Sequence, residues 1–383
     1  MSASTTTNAA RRVAGIGFGN AGTTLHLPAL AQIRGIEVVG AVDTDEGRRS
    51  RAVAQFKVSV FADFDEMLKR ASPDVVLIAT PPASHADYCF RALSAGAHVM
   101  CERPFVSSLD EANRVIAAAT AAGRRVALNQ EFREMPIFRA LRDTVRADDL
   151  LFAQVWQLVD LPPWAEPGWR GKMLQRTLYQ AGVHLVDFLM ARFGECPVSV
   201  SATTSSSGAR DSASDAIALV TLTFSRGRVA HVVQNRLCKG EPQYFEVRAE
   251  TRDASWRASF SGRARVTADL HRSTTPHVRM VFGVSGMARR KQGNKRVTLA
   301  RNPKEPGMVA TRYVLEKSLQ SFRDGSEPPA SAEVARDVLT VIAASYVSSA
   351  TRRRIDINGA TRAELSSMQM GVEPPAATGA GVL

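Results

Sequence analysis

The feature that most constrains this chain is a glycine turn near its start, Gly17-Phe18-Gly19-Asn20-Ala21-Gly22, spaced G-x-G-x-x-G. Alone the spacing is weak. Here an apolar run, Arg12–Gly17, enters it, a helical pattern over Asn20–Ile33 leaves it, and a second apolar run, Glu37–Val42, follows. That context is a strand–turn–helix–strand unit. Gly17 permits the tight turn, Gly19 lets an anion approach the backbone, and Gly22 lets helix and strand pack closely. The helix N-terminus then offers N–H donors and the positive end of a dipole to a phosphate. Asp43 stands 21 residues beyond Gly22, at the end of the second run. A carboxylate there accepts hydrogen bonds from ribose hydroxyls and repels a 2′-phosphate, so NAD is expected in preference to NADP. Arg48 and Arg49 work against that preference.

The alternation continues to residue 128. Helical patterns over Glu46–Phe56, Phe64–Arg70, Ala83–Ala95 and Leu109–Ala122 separate strands at Asp74–Ala79, His98–Cys101 and Val126–Leu128. Continuous apolar strands between helices predict a parallel sheet covered on both faces, a Rossmann domain over 11–128. After Asn129 the grammar changes. Segments at Leu151–Val159, Ala216–Phe224, Val229–Arg236, Tyr244–Ala249 and Ser255–Phe260 alternate with period two, and Ser225–Arg228 reads as a hairpin turn. With helices at Pro136–Arg146, Gly182–Phe193, Tyr313–Phe322 and Ala332–Ser349 and a short strand at Ile355–Ile357, residues 129–357 predict an α/β domain on a mostly antiparallel sheet. Ser201–Ser214 reads as a loop. Residues 1–10 and 358–383 read as a disordered leader and tail.

Composition excludes several classes. Of 383 residues 45% are apolar, yet no run approaches the ~18 apolar residues of a membrane span. The N-terminus has no apolar signal core. Cys89, Cys101, Cys196 and Cys238 form no C-x-x-C pair, which argues against a disulfide scaffold or a zinc site and for a reducing, cytoplasmic setting. No metal-ligand cluster stands out. Lys and Arg (49) exceed Asp and Glu (37), a net charge of +12. The basic runs, Arg289–Arg296 and Arg352–Arg354, lack interleaved aromatics and any nucleic-acid-binding motif. A solvated loop is the plain reading of the first, electrostatic capture of an anion the sharper one; no specific nucleic acid and no membrane are expected as partners.

Beyond the glycine turn, His26-Leu27-Pro28-Ala29-Leu30, Ala79-Thr80-Pro81-Pro82-Ala83-Ser84-His85, Cys101-Glu102-Arg103-Pro104 and Ala181-Gly182-Val183-His184-Leu185-Val186-Asp187 complete a pattern. With it the chain resembles the glucose–fructose oxidoreductase / inositol dehydrogenase (Gfo/Idh/MocA) family over residues 11–357. The resemblance implies a Rossmann domain followed by an α/β domain with a large open, mostly antiparallel sheet, which often mediates dimer or tetramer contacts. It implies pyridine-nucleotide redox chemistry on sugars, polyols or related small molecules at the cleft between the domains. Gly17, Phe18, Gly19, Asn20, Ala21, Gly22, Asp43, Thr80, Pro81, His85, Glu102 and Arg103 become the expected cofactor-side residues. His85 on its own reads more readily as a polar helix-start residue.

Departures from the family pattern bear on catalysis. Arg103 stands where the family has a lysine near the reacting carbon; it keeps charge and donors but is no practical proton acceptor. Gln180 replaces an aspartate four residues before the catalytic histidine; it can hydrogen-bond substrate but cannot titrate. A glycine triplet upstream is replaced by Leu174-Gln175-Arg176. His184 remains, with a side-chain pKa suited to proton transfer near neutrality, and Asp187 one turn on is placed to orient it. Arg103, Gln180 and His184 are therefore the expected catalytic set. Tyr179, and Trp169, Arg170 and Lys172 in the Pro- and Trp-rich stretch Pro162–Lys172, are candidate substrate contacts; packing roles are the alternatives. The leading expectation is an NAD(H)-dependent oxidoreductase acting between a hydroxyl and a carbonyl carbon. The rivals are an NAD-binding sensor that has lost turnover, and a reductase of an imine or conjugated double bond.

Overall fold

The computed structural model describes residues 11–162, 166, 168–206, 214–240, 243–260, 265–269, 277–281 and 286–371. Six parallel strands form the first sheet: β1 (Arg11–Ile16), β2 (Ile36–Val42), β3 (Val60–Phe61), β4 (Val75–Ile78), β5 (His98–Cys101) and β6 (Val126–Leu128). Their order is β3-β2-β1-β4-β5-β6, so the chain reverses direction of winding between β1 and β4. In such open sheets ligands bind beyond the carboxyl ends of the strands at that switch point. All four residues of β4 are buried, as a strand covered on both faces requires.

The connecting helices are α1 (Leu27–Leu30), α2 (Glu46–Phe56), α3 (Phe64–Ala71), α4 (His85–Ser94) and α5 (Leu109–Ala121). Asp45, Asp63 and Ser108 cap α2, α3 and α5 by accepting the Arg48, Glu66 and Glu111 amides at 2.7, 2.8 and 3.1 Å. The helix expected over Asn20–Ile33 is irregular: a π-helical turn, Gly22–His26, precedes α1. Pro28, in the first turn of α1, has no N–H to give the preceding turn.

The second sheet has nine strands. After α6 (Pro136–Thr144) come β7 (Phe152–Leu158), α7 (Val183–Phe193), β8 (Ser199–Ser205), β9 (Ile217–Thr223), β10 (Val229–Asn235), β11 (Gln243–Glu250) and β12 (Ser255–Ser259). A separate hairpin, β13 (Arg265–Asp269) with β14 (His277–Val281), precedes β15 (Met287–Gln292) and β16 (Lys295–Arg301). The chain ends through α8 (Pro306–Asp324), α9 (Ala332–Thr351), β17 (Ile355–Asp356) and α10 (Gly359–Glu364). The sheet order is β16-β15-β12-β11-β7-β10-β9-β8-β17, antiparallel except between β7 and β10. Alternate residues of β7, β9 and β10 are buried on one face, beneath α7. There Phe138, Phe188 and Phe245 pack edge to face with centroids 4.8–5.8 Å apart.

The structure departs from the sequence reading at four places. The chain folds as two compact units, one running to Glu134 and taking in Gly307–Leu339 and Ser366–Met368, the other holding the remainder. The division is thus not one cut after 128: Val314, Leu315, Leu319 and Phe322 of α8 share a core with Val13, Val75, Leu77 and Met100. The expected loop at Ser201–Ser214 begins as strand β8, whose amides at Ala202 and Thr204 bond to Ser348 and Ser349; near a sheet edge the backbone ladder, not apolar burial, decides. Arg289–Arg296 is not a loop but the β15–β16 hairpin turning at Gly293, with its charged arms turned to solvent. The tail from Gly359 is helical, capped by Asn358 and followed by buried Leu365 and Met370. Residues 1–10 and 372–383 lie outside the described residues.

Candidate active site

At the switch point of the first sheet the glycine turn has the shape its spacing demands. Gly17 sits at φ +90, and a Cβ there would meet the Ala79–Thr80 backbone at 2.7–2.8 Å. Gly22 lies against the Gly17 carbonyl, whereas a Cβ at Gly19 would meet nothing within 4 Å. The turn is thus closed toward the sheet and open at Gly19, where Asn20 begins the helix and is exposed. Phe18 points inward, packing with Leu27, Ala41, Ala52 and Val58. Its amide donates to Asp43 Oδ2 at 2.7 Å, and the Asp45 amide donates to Asp43 Oδ1 at 2.9 Å. Arg48 stands 3.7 Å from the same carboxylate, while Arg49 donates to the Asp43 and Thr44 carbonyls. These residues fit a dinucleotide: a backbone cradle for two phosphates and a carboxylate at the ribose end.

His85 is not a surface residue. It is fully buried, with Nδ1 2.9–3.0 Å from the Pro104 and Phe105 carbonyls and Nε2 2.8 Å from that of Thr80. Burial pushes its pKa down while the facing carbonyls pull it up, and the ring spans the Thr80–Pro81 loop and the loop after Glu102. Thr80 is half-buried and Pro81 exposed.

Glu102 anchors a buried polar cluster that sequence reasoning missed. Its Oε1 accepts from His26 Nε2 at 2.7 Å and from Asn129 Nδ2 at 2.7 Å, and Asn129 reaches Thr311 Oγ1 at 3.3 Å. Its Oε2 accepts the Arg103 amide at 3.2 Å and lies 4.0 Å from Arg103 Nε. Burial raises the Glu102 pKa, but the bond and charge of His26, then the charge of Arg103, outweigh it and hold the carboxyl at about 2. Arg103, half-buried, is thereby fixed through its backbone and its charge.

In the second unit Gln180 and His184 lie four residues apart across a π-helical turn, Thr177–Gly182, that runs into α7. Both are buried, as are Tyr179 and Asp187. Such π turns recur at functional sites. Tyr179 is packed against Gly371 and Met173. Arg176 is fully buried and pairs with Glu166, which also accepts from Arg236 at 3.2 Å. The Arg170 guanidinium covers the Trp169 ring at 4.5 Å and Lys172 is exposed; Trp164 lies outside the described residues. Among the described residues no cluster of His, Cys, Asp or Glu could hold a metal ion, and no helix is long and apolar enough to cross a membrane.

Comparison with known proteins identifies the family. Residues 11–130 match the family model described as an oxidoreductase family with an NAD-binding Rossmann fold, and residues 139–255 match the GFO/IDH/MocA C-terminal domain. D-apiose dehydrogenase of Paraburkholderia graminis is 24% identical over 337 residues, 87% of this chain and 86% of that protein. Inositol 2-dehydrogenase of an Arthrobacter species is 31% identical over 187 residues, 48% of this chain and 54% of that protein. The solved structure of GenD2 from gentamicin A biosynthesis, in complex with NAD, shares the fold at a TM-score of 0.75 and 20% identity, covering 92% of this chain and 97% of that one. The chain belongs to the Gfo/Idh/MocA family of oxidoreductases, with that family's NAD-binding Rossmann and C-terminal domains.

Proposed function

We propose that the protein is an NAD(H)-dependent oxidoreductase that interconverts a hydroxyl and a carbonyl on a sugar, cyclitol or similar small molecule. The observation that carries the reading is the glycine cradle, open at Gly19 and tied by the Phe18 amide to Asp43. Gly19, Asn20 and Ala21 would hold the pyrophosphate and Asp43 the adenosine ribose. NAD bound there supplies the hydride acceptor. His184 takes the hydroxyl proton: of the expected catalytic set only an imidazole is a practical proton acceptor. Arg103, braced by Glu102, orients the reacting oxygen and stabilises negative charge on it. Gln180 hydrogen-bonds substrate. The relatives named for apiose and inositol support the substrate class.

The reading extends to assembly and setting. Phe152, Leu219 and Tyr244 are exposed on the face of the second sheet away from α7, an area suited to a second copy of the chain as a dimer or tetramer. Four free thiols fit a reducing cytoplasm. The test is NADH formation with a panel of sugars and polyols, alongside NAD titration. Turnover on at least one member supports the reading. NAD binding with a silent panel favours a sensor, a second reading that Arg103 and Gln180 recommend because neither can exchange a proton; turnover only in reduction of an imine or conjugated double bond favours the third.

A further inference from the structure

Where the π-helical turn begins, four successive backbone amides have no partners within their own helix, the ordinary condition of a helix N-terminus. Here two side chains from distant parts of the chain take all four. Asp215 Oδ1 accepts the Arg176 amide at 2.5 Å and the Thr177 amide at 2.8 Å, and the Asp215 carbonyl accepts Thr177 Oγ1 at 2.7 Å. The Tyr346 hydroxyl accepts the Leu178 amide at 3.2 Å and the Tyr179 amide at 3.4 Å, and donates to Asp215 Oδ2 at 3.0 Å. The two capping groups are thus bonded to each other. Burial and the Asp215 charge push the Tyr346 pKa well up, so the phenol keeps the proton it donates. Asp215 sits just before β9 and Tyr346 on α9, both buried.

We propose that Asp215 and Tyr346 are positioning residues for catalysis: together they fix where the π-helical turn starts, and so the placement of Gln180 and His184. The logic is geometric. Gln180 follows the last captured amide directly, and its own amide bonds to the Arg176 carbonyl at 2.8 Å. Gly182, two residues on, leaves little room for drift, because a Cβ there would meet Gln234 Oε1 at 2.8 Å. A turn that starts one residue later would rotate the side chains after it by about 100°. A local cap such as Ser or Asp at the helix start would satisfy amides without tying the turn to the rest of the unit; a two-residue clamp from the segment before β9 and from α9 fixes it in space. The inference rests on the proposed roles of Gln180 and His184.

The test uses the full chain as Tyr346→Phe, which keeps the ring and removes the hydroxyl, with Asp215→Asn as a second variant. Amide hydrogen exchange should rise about tenfold or more at Leu178 and Tyr179 in Tyr346→Phe, while amides of Phe188–Phe193 keep their protection. On the sugar or polyol that the wild type oxidises best, kcat should fall about tenfold or more, with KM and the NAD Kd within about twofold of wild type. Unchanged exchange at Leu178 and Tyr179 in both variants overturns the clamp. Faster exchange there with unchanged kcat overturns its catalytic role. A wild type silent on every sugar and polyol counts against the proposed function instead, and the exchange result alone then decides the clamp.

Discussion

The Asp43 carboxylate accepts the Phe18 amide at 2.7 Å, so the residue expected to read the ribose also ties the end of β2 to the glycine turn. One group therefore serves cofactor choice and cradle shape. NAD should bind at least about tenfold tighter than NADP, because the 2′-phosphate would confront this carboxylate. In Asp43→Ala the gap should narrow from both sides: NAD weakens as the turn loses its tie, and Arg48, 3.7 Å from the carboxylate in the wild type, is released to pair with the extra phosphate. Fluorescence titration of both nucleotides checks this; equal affinities in the wild type would sink it.

A second expectation concerns the proton. His184→Ala should lower kcat by ~10²–10⁴ with NAD binding largely intact. Arg103 stays charged and Gln180 uncharged at every accessible pH, so kcat/KM for alcohol oxidation should show one acidic limb, from His184. A bell with a second limb, or a fully active His184→Ala variant, would assign the proton to another group.

Much of this was legible in the chain because it depends on local spacing. The glycine turn, the apolar runs of β1, β2, β4 and β5, and the alternation in β7 and β9–β12 are written into neighbouring residues, and the structure has them where the sequence put them. The family resemblance added Arg103, Gln180 and His184. What stayed hidden lies between distant residues. Asp215 and Tyr346 carry no local signal, since their partners are at 176–179; His26 opens the His26–Leu30 motif, but its role comes from Glu102, 76 residues away. The placement of α8 against β1, β4 and β5 was equally invisible, because an amphipathic helix does not announce which sheet it covers. Strand β8 was misread because Ser and Thr content favours loops only where no ladder is on offer.

The His26–Glu102 pair gives a pH-dependent prediction with a definite sign. The Glu102 pKa, about 2 in the folded protein, lies below the ~4.3 of an unfolded glutamate. Its stabilising contribution is therefore complete above that unfolded value and is lost as pH falls toward 2. His26→Leu removes the principal donor from a buried carboxylate and should cost about 1–3 kcal/mol at neutral pH. With burial then opposed only by Arg103 and Asn129, the Glu102 pKa should rise, and the variant should recover part of its deficit on acidification. His26→Gln, which keeps an N–H donor, should cost less. Urea unfolding at neutral and acid pH distinguishes these outcomes; a deficit independent of pH would mean that lost packing, not the hydrogen bond to Glu102, is at work.

The last prediction addresses the two departures together. Arg103→Lys with Gln180→Asp restores the family pattern. The new carboxylate, one helical turn before His184, should favour the imidazolium and move the acidic limb of kcat/KM to higher pH. The shorter cation still has the backbone of residue 103 held by Glu102, since that bond runs from the main-chain amide. If the wild type carries out the polyol chemistry proposed above, the double variant should keep or raise that turnover while the limb moves. If the site has been rebuilt around another substrate, a displaced cation and an added anion should abolish the native turnover and leave NAD binding intact. A parent that is silent on every polyol and a variant that oxidises one strongly would defeat the enzyme reading: Arg103 and Gln180 would then be the substitutions that silenced a dehydrogenase and left an NAD-binding sensor.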